Sequence, residues 1–290
     1  MSILTISQLR IALRTSDGPR AIVDGIDLVL EKGRIHGLAG ESGSGKTITA
    51  LAILGLLPDS MSSSGSISLQ SDAGATELLG ASRQVLGAIR GRRIAMVFQD
   101  PSTSLHPQIA IGRQLTDHMR HHLKITKEDA MARALELLER VKVPDPGGAL
   151  KKFPHQFSGG QRQRIAIAVA LACDPDVLLA DEPTTALDVT VQAGVLELLR
   201  ELVDDSGVSV LLVTHDLGVM SAVADDVTVM RAGVVVESAP REALFTNPQH
   251  EYTKSLLAAL PGSTLEASTE TLVHELLAAE SVAPAKEVSE

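Results

Sequence analysis

The fold is decided by one stretch of eight residues, Gly40-Glu41-Ser42-Gly43-Ser44-Gly45-Lys46-Thr47. It fits the pattern G-x-x-x-x-G-K-[S/T], in which glycines let backbone N–H groups turn inward around phosphate oxygens. A short apolar stretch at 34–39 precedes it, and a helical pattern at 47–57 follows it. A loop between a strand and a helix N-terminus predicts a nucleotide phosphate site, with Lys46 on the β- and γ-phosphates and Thr47 on Mg²⁺.

A second apolar stretch, at 177–180, ends in two acids, Asp181 and Glu182. Ligands of open α/β sheets lie beyond the carboxyl ends of the strands. At such a place Asp181 is suited to hold Mg²⁺ through water, and Glu182 to polarise the water that attacks a γ-phosphate. Alone, the pattern is more typical of a solvated strand end; beside a phosphate loop it predicts hydrolysis.

The remaining pattern predicts an α/β fold. Alternating apolar residues at 3–13 and 22–30 predict strands, and residues 61–65 predict a serine-rich loop before a short strand at 66–70. The sequence pattern of residues 106–171 predicts helices, with an apolar helix face at 127–141. Strands and helices then alternate from 177 to 230, which predicts a mostly parallel sheet covered on both faces.

Composition restricts the class of protein. The 290 residues carry a net charge of −10, which argues against a nucleic-acid partner because such proteins bind phosphates through basic faces. A single cysteine, Cys173, allows no internal disulfide. No stretch approaches the roughly 18 apolar residues of a membrane span, and the N-terminus lacks a signal-peptide pattern. If the protein serves transport, we expect another chain to supply the membrane path.

Four further motifs lie elsewhere in the chain. In chain order they are Gln99 after a predicted strand, Ser158-Gly159-Gly160-Gln161 at the start of a predicted helix, Ala186-Leu187-Asp188, and His215 after another predicted strand. A lone loop glutamine or histidine is more often ordinary than functional. In this register, however, the six motifs resemble those of the ABC ATPases, namely the phosphate loop, Q-loop, signature, acidic strand end, D-loop and switch histidine. They cover the first two-thirds or more of the chain.

The resemblance implies a fold and a set of roles. It implies a RecA-like core sheet, an N-terminal antiparallel β subdomain and an inserted α-helical subdomain. Two ATPase chains meet head to tail in that family, so that the Ser158–Gln161 signature faces the ATP of the partner and Asp188 contacts the opposite subunit. Gln99 senses Mg²⁺ and the γ-phosphate, and His215 holds the γ-phosphate during catalysis.

A second resemblance narrows the subfamily. Residues 98–101 (FQDP) with 104–107 (SLHP), and 247–253 (NPQHEYT) with 256–261 (LLAALP), are similar to runs in the ATPases of oligopeptide, dipeptide and nickel importers. His106 and Glu251 depart from the usual Asn and Pro. The resemblance implies an ATPase domain at 1–245, with its helical subdomain at about 106–172, and a C-terminal extension at 246–290 whose polar end we expect to be disordered.

The same resemblance implies partners and a location. They are a second ATPase subunit, identical or homologous, two transmembrane permease subunits and, indirectly, an extracytoplasmic solute-binding protein. The location is the cytoplasmic face of the membrane. The sequence departs from the family in two respects. Residues 15–20 contain no aromatic side chain to stack on adenine, so base recognition falls to Arg20, to apolar contacts or to the partner. The tail has no cysteine cluster, so we expect no iron–sulfur centre.

Three alternatives stay open at this point. A soluble ABC ATPase, such as a subunit of a phosphonate-degrading complex, carries the same motifs. DNA-repair and translation ATPases are disfavoured, because the chain has no coiled-coil insertion, no tandem domain and no basic charge. A degenerate subunit is disfavoured because no motif is lost.

His118, His121 and His122 have helical metal-site spacing, although a solvated helix face explains them more simply.

Overall fold

The computed structural model describes residues 1–72, 74–100, 104–185 and 187–260, and an antiparallel sheet forms its N-terminal part. The strands of this sheet are β1 (Ser2–Thr15), β2 (Gly18–Glu31), β4 (Met61–Ser71) and β5 (Gly74–Glu77), in the order β2-β1-β4-β5. β1 and β2 form a hairpin whose turn lies between Thr15 and Gly18. The predicted N-terminal antiparallel subdomain is therefore confirmed.

A second, mostly parallel sheet forms the centre. Its strands are β3 (Ile35–Ala39), β6 (Ile94–Val97), β7 (Val177–Asp181), β8 (Ser209–Thr214), β9 (Asp226–Arg231) and β10 (Val234–Pro240). The order is β10-β9-β3-β8-β7-β6, and only the β9–β10 pairing is antiparallel. In register, Ala39 pairs with Thr214, Asp181 with Val213 and Val97 with Ala180, so four parallel strands end level with one another.

Helices cover this sheet and fill the middle of the chain. In the described residues they are α1 (Lys46–Ile53), α2 (Arg83–Ile89), α3 (Ile111–Leu123), α4 (Lys127–Arg140), α5 (Pro146–Ala149), α6 (Gly159–Leu171), α7 (Val189–Ser206), α8 (Leu217–Val223), α9 (Arg241–Thr246) and α10 (Glu251–Ala258). Helices α3 to α6 form the inserted helical part. Side-chain caps begin several of them; Thr126, for example, accepts a hydrogen bond from the N–H of Asp129 at the start of α4. None of the helices that the structure describes is both long and apolar enough to cross a bilayer.

Alternation along the central strands places apolar side chains on both sheet faces. Leu178 and Ala180 of β7 enter the larger core beneath the helices, whereas Val177 and Leu179 enter the core shared with α1 and the antiparallel sheet. Successive side chains of a strand point to opposite faces, so a strand buried on both faces has to be continuously apolar. This is why the continuous Val/Leu stretches in the sequence predict the central sheet correctly.

Two local predictions are wrong. Residues 61–65 are not a loop; they begin β4, where Ser62, Ser63 and Ser64 pair in register with residues 12 to 10 of β1. Sheet pairing outweighs the weak strand propensity of serine there. The first helix ends at Ile53 rather than at Leu57, because Gly55 has a φ of +61° and closes the last turn.

The histidine group on α3 is only partly a solvated face. His118 and His122 are half-buried, His121 is exposed, and the rings of both His118 and His121 lie 4.8 Å from that of His122 in edge-to-face contact. Burial lowers the pKa of His118 and of His122. Among the residues described, no group of three or more His, Cys, Asp or Glu side chains is arranged so that it could hold a metal ion. The polar end of the C-terminal extension, which we expect to be disordered, lies outside those residues, as does Ala186.

Candidate nucleotide-binding site

The predicted phosphate loop joins β3 to α1, and two glycines give it its shape. Gly40 has a φ of +145°, and a Cβ atom there would lie 2.2 Å from the carbonyl oxygen of Met230. Gly45 has a φ of +104° and is the residue before α1. Both conformations disfavour L side chains, so glycine is required at each position. The loop therefore leads directly into the N-terminus of α1, a position suited to an anion.

Lys46 is folded back across this loop. Its side-chain amine donates to the carbonyl oxygens of Gly40 at 2.6 Å and Glu41 at 2.9 Å, and only 5% of the residue is exposed. Burial lowers the pKa of Lys46, although the nearby carboxylates of Glu182 and Asp181 act in the opposite direction. The side-chain amine is thus buried and is held by carbonyl oxygens of the loop.

Asp181 and Thr47 meet across the end of β7. The Thr47 hydroxyl donates to a carboxylate oxygen of Asp181 at 3.1 Å, and Asp181 is 5% exposed. Burial raises the pKa of Asp181, while the Thr47 hydrogen bond opposes that shift. A carboxylate and a hydroxyl side by side are hard oxygen ligands of the kind that Mg²⁺ prefers.

Glu182 is held by three side-chain donors. Gln99 Nε2 lies 2.8 Å and the Thr185 hydroxyl 3.0 Å from its Oε2, while His215 Nδ1 lies 2.9 Å from its Oε1. Gln99 follows β6 and His215 follows β8, the strands on either side of β7. Because those strands end level with β7, the predicted residues Gln99 and His215 converge on the predicted carboxylate.

The backbone and electrostatics of Glu182 are also unusual. Its φ is +46°, in the left-handed region that L residues rarely occupy outside functional sites and turns. Its N–H donates to the carbonyl oxygen of Val213 at 2.7 Å, which fixes this conformation. Burial raises the pKa of Glu182, but hydrogen bonds from His215 and Thr185 outweigh it, so that the pKa lies below its ordinary value. The carboxylate is therefore kept ionised.

Most of these groups, though not Gly40 or Asp181, line one cavity of about 700 Å³, a size typical of ligand sites. Its polar lining comprises Glu41, Ser42, Gly43, Gly45, Lys46, Thr47, Gln99, Glu182, Thr185 and His215. Its apolar lining comprises Ile22, Ile48, Met61 and Leu256. The cavity thus combines a phosphate cradle and a carboxylate with an apolar wall. Arg20, which the sequence offered as one possible contact for the base, is not among the lining residues.

The Ser158–Gln161 motif lies elsewhere in the chain. Ser158 caps α6: its hydroxyl accepts from the N–H of Gln161, and the Gln161 side chain accepts from the N–H of Ser158. A Cβ atom on Gly160 would lie 2.3 Å from Val191 Cγ1, so α6 starts in close contact with α7. Asp188 caps α7 through the N–H of Val191. None of these motif residues lines the cavity.

Sequence reasoning missed several residues of this site. Thr185, whose hydroxyl donates to the Glu182 side chain, lies only three residues beyond the predicted carboxylate, but no pattern in the sequence singles it out. Met61 was not, because it fell in the stretch predicted as a loop. Tyr252 and Leu256 lie about 200 residues from the phosphate loop, and no local pattern indicates that they return to it. Both belong to the runs that resemble the importer ATPases, but that resemblance assigns them no role at the site.

Comparison with known proteins gives one consistent result. The family described as ABC transporter matches residues 23–185. The chain is 46% identical over 261 residues to the dipeptide transport ATP-binding protein DppD of Bacillus subtilis, covering 89% of this chain and 77% of that protein. It is 44% identical over 270 residues to the oligopeptide transport ATP-binding protein OppD of the same organism, covering 92% and 74%.

Solved structures agree. The fold matches the dimeric, ADP- and phosphate-bound ATP-binding cassette MJ0796 with a TM-score of 0.71 at 26% identity, covering 82% of this chain and 98% of that one. It matches cbiO1 of Clostridium perfringens, part of an ABC transporter complex, with a TM-score of 0.70 at 27% identity, covering 90% and 96%.

Proposed function

The chain belongs to the ABC transporter family of ATP-hydrolysing subunits, and from that premise we propose that it powers a peptide importer by ATP hydrolysis in the cavity around Lys46 and Glu182. The observation that carries the proposal is the convergence of Gln99, His215 and Thr185 on the Glu182 carboxylate beside the phosphate loop. The relatives named for dipeptide and oligopeptide transport support the peptide class over the phosphonate-degrading alternative.

In this proposal the loop residues Gly40 to Thr47 hold the phosphates. The N–H groups of the loop and the ammonium group of Lys46 bind the β- and γ-phosphate oxygens. Thr47 and Asp181, with Gln99, would hold Mg²⁺, which would supply positive charge to neutralise the phosphates. The paired oxygens of Thr47 and Asp181 fit that ion.

Glu182 acts as the base. Its carboxylate accepts a proton from the attacking water, and its pKa, which lies below the ordinary value, leaves it ionised at neutral pH. His215 and Gln99 lie next to the same carboxylate, where they are placed to sense and stabilise charge on the γ-phosphate.

The Ser158–Gln161 motif completes the site of a second ATPase subunit, identical or homologous. It lies at the start of a 13-residue helix, whose positive end favours an anion. It is exposed or half-buried and lies outside this chain's own cavity, so it is free to face a partner's γ-phosphate. The dimeric structure of the related cassette supports the pairing of two ATPase subunits. Asp188, at the start of α7, adjoins the same surface.

We place the protein at the cytoplasmic face of a membrane, attached to two permease subunits that supply the path for the solute and receive it from an extracytoplasmic binding protein. The test is affinity capture from the native host with a tagged Glu182→Gln variant, using mild detergent, ATP and Mg²⁺. We expect two multi-span membrane proteins and an ATPase partner. The control adds Ser158→Arg, which leaves the cavity intact but blocks the signature surface, so capture of the ATPase partner is expected to fall. Recovery of soluble enzymes alone would refute the transport assignment.

A further inference from the structure

The C-terminal helix α10 reaches the nucleotide cavity, although it is far from the phosphate loop in sequence. We propose that Leu256 of α10 contacts the nucleoside part of ATP and that Tyr252 of the same helix positions the phosphate loop. The inference rests on the proposed function, since it assumes that nucleotide binds in the cavity around Lys46. It adds two residues, from a segment outside the six motifs, to that site.

Tyr252 joins the helix to the loop. Its hydroxyl oxygen accepts a hydrogen bond from the N–H of Glu41 at 3.3 Å. Tyr252 as a whole is 6% exposed, and the guanidinium carbon of Arg231 lies 4.7 Å from the centroid of its ring. The hydroxyl thus satisfies a loop N–H from outside, while the packed ring keeps the hydroxyl in place. Tyr252 is a positioning residue in this arrangement, because it touches the loop rather than the nucleotide.

The start of α10 is itself anchored to the central sheet. The carboxylate of Glu237, on β10, accepts from the N–H of Gln249 at 2.7 Å and from the N–H of His250 at 3.1 Å. The side chain of His250 then accepts from the N–H of Tyr252 at 3.1 Å. These bonds determine where α10 begins and therefore which of its side chains face the loop.

Leu256 lies one helical turn beyond Tyr252, so both side chains project from the same side of α10. Leu256 lines the cavity together with Ile22 and Met61 of the antiparallel sheet and Ile48 of α1. An aliphatic side chain offers no hydrogen bond or charge to a triphosphate. The base and ribose are the parts of ATP with apolar surface, so the apolar wall is suited to them.

The sequence explains why such a wall is needed. Residues 15–20, at the turn between β1 and β2, contain no aromatic side chain for the base to stack on. Aliphatic contacts from two strands and two helices replace a single ring. Leu256 is the part of the apolar wall that α10 supplies. Tyr252 and Glu237 hold this helix next to the phosphate loop.

The experiment measures ADP and inorganic pyrophosphate binding by titration calorimetry, because neither ligand is turned over. Leu256→Ala is expected to raise the Kd for ADP about fivefold to tenfold and to leave that for pyrophosphate within about twofold, since up to three carbon atoms of apolar contact are lost. Leu257→Ala is the matched control: it is the same change one residue on, in a side chain packed on the core but not lining the cavity. It is expected to change neither Kd.

Tyr252→Phe removes only the hydroxyl and is expected to raise both constants about threefold, as the loss of one neutral hydrogen bond predicts. An unchanged ADP constant in Leu256→Ala, or an equal loss of pyrophosphate binding, would overturn the role of Leu256. Unchanged constants in Tyr252→Phe would overturn that of Tyr252. Lys46→Ala tests the proposed function separately from this inference. If this variant still binds both ligands, the assignment of the nucleotide to the cavity fails. If it loses both ligands while Leu256→Ala leaves both constants unchanged, only this inference fails.

A second measurement needs no variant and covers the case in which Leu256→Ala does not fold. The wild-type protein is photolabelled with 8-azido-ADP and digested with trypsin, which cleaves after Lys254 and places Leu256 in the peptide that starts at Ser255. Label in that peptide, suppressed by excess ADP, is expected. Its absence from that peptide, with label elsewhere in the protein, contradicts the proposed contact.

Discussion

Replacing Glu182 by glutamine separates the charge of this residue from its shape. The carboxylate accepts from Gln99, Thr185 and His215 at 2.8 to 3.0 Å. In the variant the amide oxygen faces Gln99 and Thr185, and the amide NH₂ donates to His215 Nδ1 in its other tautomer. The local structure is therefore retained, while the proton acceptor is lost.

Loss of a general base typically lowers the rate about 10²- to 10⁴-fold, or about 3 to 5 kcal/mol in the activation barrier. We expect kcat for ATP hydrolysis to fall by that factor and ATP affinity to stay within about threefold, because Lys46 and the loop are unchanged. The assay is steady-state phosphate release with Mg²⁺, beside calorimetric titration of ATP. Glu197→Gln, the same change at an exposed position on α7, is the control and is expected to keep wild-type turnover. Turnover of Glu182→Gln within about tenfold of wild type would refute the assignment of the base.

Three further outcomes are expected. Lys46→Ala should raise the Kd for ATP at least about 100-fold, since charge-assisted hydrogen bonds contribute about 1.5 to 3 kcal/mol each; calorimetry checks this, and wild-type affinity would exclude the loop as the phosphate site. Gly160→Ala should lower the free energy of unfolding by about 1 to 3 kcal/mol, because its Cβ meets Val191 Cγ1 at 2.3 Å, and Val191→Ala should restore it in denaturant titrations. Burial lowers the pKa of His36 to about 4, whereas a histidine of the unfolded chain keeps the ordinary value near 6.5. Between these two values the unfolded chain binds a proton that the folded chain does not, so the free energy of unfolding decreases as the pH is lowered across that window. From pH 7 to pH 5 this amounts to about 2 kcal/mol; His36→Gln should remove that part of the slope, and identical slopes would contradict it.

The phosphate loop, the acidic strand end and the residues Gln99 and His215 were predictable because each directly follows an apolar strand. In a parallel sheet these positions all lie at the carboxyl ends of the strands, so placing the strands in the sheet places the residues as well. The structure adds the register: Ala39 is level with Thr214, and Asp181 with Val213. Strand order itself was not predictable, because no local pattern states which strands are neighbours.

The serine-rich start of β4 shows a different limit. Residues 61–65 have turn composition, yet they pair with β1, and the stretch begins with Met61, which lines the cavity. Pairing with a neighbouring strand is a tertiary effect and overrides composition. Single-residue propensity therefore failed at a position that belongs to the site.

The return of α10 to the phosphate loop is a property of the tertiary structure for the same reason. Glu237 lies on the edge strand β10, next to β9, which ends at Arg231 near the loop. Glu237 accepts from the N–H groups of Gln249 and His250 just before the helix, and His250 caps it, so α10 starts beside β10 and Tyr252 reaches Glu41. In the proposed function the six motifs account for the phosphates and the attacking water, but they assign no partner to the nucleoside. We propose that the apolar wall assembled from the antiparallel sheet, α1 and α10 is that partner, in which case recognition of the base depends on segments that the motifs do not include.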